Sequence, residues 1–179
     1  MLEIAIWLSE TKWSIALLES LYMYPWIESA HVLSICFFIG ILLFVDLRLM
    51  GVAFTKLPIS EMNKKVLPWS LFGFGLMMLT GFLLFYAIPV RSYQNIFFRF
   101  KVILILLAGL NAFLFHRQMK LEGMNWDEGK SIPKSVHLKA AASLVIWSGV
   151  IISGRMIAYN WFDCDRPVSY THLTLPTKA

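Results

Sequence analysis

Four stretches of the chain are apolar for about the thickness of a bilayer, and short polar runs separate them. A spanning helix needs about 20 mostly apolar residues, because the hydrocarbon core is about 30 Å thick and each residue rises about 1.5 Å. Residues 26–47, 67–88, 96–115 and 138–158 meet that requirement, the second stretch ending at Pro89. The first two dozen residues follow another pattern. Ile4, Trp7 and Leu8 alternate with Glu3 and Glu10, and Ile15, Leu18 and Leu21 with Lys12 and Glu19. That charge density does not suit a span, whereas Trp7, Trp13, Tyr22, Tyr24 and Trp26 suit the headgroup region. One or two short helices lying in the interface over residues 2–23 are expected. The predicted fold is all-α: an integral membrane four-helix transmembrane bundle with an N-terminal amphipathic interfacial helix, one domain over residues 1–167. A cleaved signal peptide is not expected, since Glu3 stands where a basic start would be.

Composition agrees with lipid as the solvent. The chain is 58% hydrophobic and 15% charged, where soluble domains average about 45–50% and about 25%. The formal charge of +5 does not point to nucleic acid, because the basic residues sit in short loops and read as topology signals. Arg48, Lys56, Lys64 and Lys65 follow the first span, and Arg117, Lys120, Lys130, Lys134 and Lys139 follow the third. The short connection between spans two and three holds Arg91, with Arg99 and Lys101 at the helix mouth. The positive-inside rule places the two long loops in the cytoplasm and both termini outside, which is the periplasm for a bacterial inner membrane. Cys36 and Cys164 lack the spacing of a disulfide framework or zinc site and read as isolated thiols. The end of the chain, Val168 to Ala179, resembles translated adapter DNA from sequencing libraries. Residues 168–179, His172 included, are therefore expected not to be native.

Small residues mark where helices approach closely in lipid, where packing drives association. Ala108 and Ala112, Gly149 and Ser153, and Gly73, Gly75 and Gly81 are such positions. Ionisable residues within a span are costly and need a reason. His31 lies in the outer part of the first span, with Glu28 three residues earlier on the same face. Its imidazole can ligate a metal or haem iron, carry protons, or make an interhelical hydrogen bond. Arg99 and Lys101 open the third span and Arg155 closes the fourth, all on the side of His31. Together they can form a pocket for a haem propionate, a quinone carbonyl or a lipid phosphate, or they can snorkel to the interface. Asp46 lies fifteen residues beyond His31, about 22 Å along the axis, and is expected to pair with a basic residue such as Arg117. His116 and His137 sit at the inner edge, at the wrong depth for a bis-histidine haem with His31. A His31–Met156 haem or copper site is a further option on the outer side. The phosphate loop Gly-x-x-x-x-Gly-Lys-Ser/Thr, His-Glu-x-x-His, Gly-x-Ser-x-Gly and Cys-x-x-Cys-His are absent from the sequence.

The run Trp26-Ile-Glu-Ser-Ala-His-Val-Leu and the run Asp46-Leu-Arg-Leu-Met-Gly51 resemble a bacterial membrane family, domain-of-unknown-function family 6644. Leu79-Thr-Gly-Phe-Leu-Leu, Phe98-Arg-Phe-Lys-Val and Trp147 through Arg155 fit the same resemblance, over most of residues 1–165. It implies the membrane architecture and no activity. Through His31, Lys101 and Asn111 the chain is also similar to the copper-resistance D family and the membrane protoporphyrinogen oxidase family, a likeness that implies copper or haem. Two functions follow as expectations. One is a haem- or quinone-binding redox subunit, with haem b the candidate cofactor. His31 is then its ligand or proton carrier, and Arg99, Lys101 and Arg155 neutralise an anionic or carbonyl group. The other is a non-enzymatic component in membrane lipid: a subunit of a membrane-protein partner or homo-oligomer, or a transport piece.

Overall fold

The computed structural model describes residues 2–127 and 132–159. Lys130, Cys164, His172 and the 168–179 tail lie outside the described residues. Seven helices follow in order: α1 (Leu2–Ser9), α2 (Lys12–Glu19), α3 (Met23–Leu49), α4 (Ile59–Ala87), α5 (Pro89–Gln94), α6 (Ile96–Asp127) and α7 (Lys134–Met156). α3, α4, α6 and α7 are long and apolar enough to cross a membrane. The chain is a multi-pass membrane protein of all-α class, as its apolar pattern predicts.

Local chemistry sets the helix ends. α3 closes with Gly51 at φ 72°, the left-handed region open to glycine. There Gly51 N–H donates to the Arg48 carbonyl and Val52 N–H to the Leu47 carbonyl, the two bonds of a Schellman cap. Pro89, which lacks an N–H, stops α4 and opens α5. Asn95 Oδ1 accepts from Phe97 N at 2.9 Å and starts α6. The interfacial region is two helices, broken at Glu10–Thr11, and Thr11 Oγ1 accepts from Ser14 N to cap the second. α4 begins at Ile59, earlier than the apolar run suggests, and continues through Pro68. The missing hydrogen bond costs about 3 kcal/mol, but the added turns bury Ile59 and Met62, and exposed Pro68 turns its ring away from the bundle.

α3 packs along α4 and α6 along α7. The two hairpins join through α3/α7 and, more lightly, α4/α6, so α3 and α6 are diagonal. Two apolar layers draw on all four helices. The central one holds Phe38, Met77, Ala108, Trp147 and Val150. The other, toward the end carrying the long connections, holds Leu49, Ile59, Phe115, Val136 and Ala140. We call that end the loop end. The opposite end carries α1, α2 and α5 and is the capped end. α2 docks there because Ser14 Oγ donates to the Tyr86 carbonyl at 2.8 Å and Thr11 Oγ1 meets Tyr86 Oη at 2.8 Å. Ser14→Ala is expected to weaken this docking by about 1 kcal/mol, seen as faster amide exchange confined to α1 and α2.

Candidate functional site

The register of the bundle brings one polar layer together near the capped end. In the central layer Phe38 meets Trp147 edge-on with ring centroids 4.8 Å apart, Gly73 lies against Phe37 and Phe38, and Ala108 belongs to the same cluster. Seven residues from each of these toward the capped end stand His31, Gly154, Thr80 and Lys101. Seven residues are two helical turns, about 10.5 Å. A step common to four antiparallel neighbours places these residues at one depth.

His31 and Thr80 tie α3 to α4. His31 Nδ1 lies 2.9 Å from Thr80 Oγ1, and the Thr80 hydroxyl donates to the Leu76 carbonyl at 2.8 Å, with the Met77 carbonyl at 3.1 Å. A hydroxyl has one hydrogen. With it directed at the helix backbone, Thr80 Oγ1 accepts from His31 Nδ1–H. In this tautomer the lone pair stands on Nε2, the form suited to a metal ligand or proton acceptor. Gly81 makes the approach feasible, since a Cβ there would stand 3.1 Å from His31 Cε1. Ser34, buried one turn further along the same helix, donates to the His31 carbonyl at 2.8 Å.

Lys101 completes the layer from α6. Its ammonium turns toward α7 and rests on Gly154, where a Cβ would stand 3.2 Å from Nζ. No hydrogen bond or ion pair holds Nζ among the described residues. Its charge acts on the His31 ring. On α7 the Ser153 hydroxyl donates to the Gly149 carbonyl at 2.7 Å and is not available to the amine.

The other residues singled out in the sequence lie elsewhere. Arg99 is exposed, donates from Nε to the Tyr93 carbonyl at 3.0 Å and covers the Tyr93 ring. Arg155 is exposed and reaches Tyr159 Oη at 3.2 Å and its ring. Each covers a nearby tyrosine and stands outside the layer of His31 and Lys101. Glu28 is exposed. Asn111 donates to the Lys139 carbonyl at 3.0 Å and pins α6 to α7. His116 and His137 lie toward the loop end, with Nδ1 2.9 Å from the Ala112 carbonyl and 3.3 Å from the Pro133 carbonyl. Asp46 does not pair with Arg117. Its polar neighbour is Ser143. Among the described residues no three His, Cys, Asp or Glu side chains converge in a metal-binding group. Thr80 and Gly154 were missed because a threonine bonded to its own backbone and a glycine carry no signal in one sequence. Their spacing of seven from Gly73 and Trp147 is the signal that would have found them.

The model of the family of unknown function DUF6644 matches residues 20–160. The chain belongs to that family. The DUF6644 region takes in α3 through α7 and every member of the polar layer, and leaves α1 and α2 outside. No curated protein and no solved structure matches the chain.

Proposed function

We propose that this chain is a membrane redox subunit that binds a haem- or quinone-class cofactor at the layer formed by His31, Thr80 and Lys101. The observation that carries the reading is the Lys101 ammonium. It is half-buried beside a histidine and has no anionic partner among the described residues. A cation kept inside a bundle without a counter-charge points to one supplied from outside. A propionate or a quinone carbonyl would take that place. The tautomer of His31 fits both groups. Nε2 would be the ligand to a haem b iron, or would take the proton of a quinol hydroxyl. Either group would supply electron-transfer chemistry. The side chains hold it, set its orientation and keep one proton acceptor fixed on Thr80. Arg99 and Arg155 would contribute through the field at the capped end.

The same basic-residue pattern supports a bacterial inner-membrane location, with the loop end in the cytoplasm and the capped end and both termini in the periplasm. A second reading draws on the His31–Thr80 bond, which also serves to join α3 to α4. On that reading the layer is helix glue in a non-enzymatic partner subunit or transport component.

The test is the optical spectrum of detergent-purified protein, oxidised and then reduced with dithionite, with quinone extraction of the same sample. Expected is a Soret band with α and β bands that sharpen on reduction, or co-purifying quinone. The signal should be lost in His31→Ala and in Lys101→Gln, and weakened about 10–100-fold in affinity by Thr80→Val. A colourless, quinone-free protein after expression with ample haem sinks the redox reading. The glue reading then stands if His31→Ala lowers thermal stability alone.

A further inference from the structure

The seam between α3 and α7 holds one buried carboxyl, Asp46, toward the loop end. The residue is 4% exposed, and its Oδ2 is enclosed with no hydrogen-bond partner among the described residues. Ser143 of α7, itself buried, is the polar group that acts on it. The charged groups of the surrounding elements are engaged elsewhere or face outward. On α3, Arg48 gives Nε and Nη2 to the Leu57 carbonyl at 2.8 and 2.6 Å. On α4, Lys65 pairs with Glu61 at 2.7 Å and Lys64 is exposed. On α7, Lys139 donates to Gln118, Lys134 is exposed, and His137 turns to the Pro133 carbonyl. On α2, Lys12 and Glu19 are exposed at the other end of the bundle.

An enclosed carboxylate without a counter-cation is among the costliest groups a bundle can hold. A metal or alkali cation does not suit the site. Hard cations gather about six or more oxygens, and here one carboxyl faces one hydroxyl between apolar layers. The smallest cation, a proton, needs only the free oxygen. Packing does not account for the residue either, because a leucine would extend the adjacent layer of Leu49, Phe115 and Ala140 without the desolvation penalty.

We propose that Asp46 is a reversible proton-binding site at the loop end, separate from the His31–Lys101 layer. One carboxylate oxygen takes a proton from water at that end and returns it there, and no electron moves. The two sites are fifteen residues apart on α3, about 22 Å, so the proposal stands whether or not a cofactor binds at His31.

Infrared difference spectra of the full chain in lipid, taken across a pH titration, test it. Expected is a carboxylic-acid carbonyl band at neutral pH, sensitive to deuterium exchange, that bleaches reversibly as the pH is raised while a carboxylate band grows. Asp46→Asn, a near-isosteric change, should abolish the band and leave any cofactor spectrum at His31 untouched. Ser143→Ala should shift the band's frequency and keep it titrating, which a merely structural acid elsewhere in the chain would not do. A band that never bleaches makes Asp46 a permanently neutral packing group and overturns the proposal. So does a neutral-pH carboxylate whose bands respond to sodium against potassium, which makes the occupant a metal cation.

Discussion

Trp147→Ala is expected to destabilise the bundle by about 3 kcal/mol, whereas Trp69→Ala leaves it within about 0.5 kcal/mol. The two residues have the same side chain and opposite surroundings. Trp147 is 8% exposed, meets the Phe38 ring edge-on at 4.8 Å and the Phe74 ring at 6.5 Å, and joins α7 to α3 and α4. Trp69 is 61% exposed on α4. The loss at Trp147 sits at the low end of the range for buried aromatics, because lipid-facing helices gain little from the transfer of apolar surface. What remains is forfeited dispersion and a cavity in the layer that all four helices share. Reversible unfolding in mixed micelles would measure it. Equal effects at the two positions would mean that this layer does not hold the bundle together.

Gly81→Leu is expected to remove the cofactor signature as completely as His31→Ala, although it alters no polar group. The ring of His31 lies where a side chain at 81 would go, with Cε1 only 3.1 Å from the Cβ position. Leucine there either rotates the imidazole off Thr80 or pushes α3 from α4, and such overpacking costs about 1–3 kcal/mol. Gly75→Leu is the control, since nothing stands within 4 Å of a Cβ at that position. Spectra and melting curves of both variants give the comparison. A Gly81→Leu protein with unchanged cofactor content would detach the site from the His31–Thr80 pair and leave the layer a packing feature.

Several features were legible in the sequence because lipid imposes a length rule on apolar runs. The apolar run over residues 26–47 has no alternative but to span, and the tryptophans and charges of residues 3–19 have no alternative but the surface. His31 and Lys101 were legible as candidates for the same reason, since charge inside a span is expensive wherever it occurs. Arg99 and Arg155 carry an identical signal in one dimension. Sequence alone did not separate them from Lys101, because a helix position two residues away faces a different neighbour.

The sequence by itself determined the number of spans, the amphipathic start and the placement of basic residues at the two ends, all consequences of solvent partition along a line. Tertiary structure decided what the line does not contain: that α3 lies diagonal to α6, that the four helices share a seven-residue register, and that Thr80, Gly81 and Gly154 surround His31 and Lys101. It also decided that Asp46 meets a serine in place of an arginine. Such pairings depend on which helix faces are pressed together. In lipid that choice rests on close packing of small and aromatic side chains across helices distant in sequence, not on the hydrophobicity that a single chain displays.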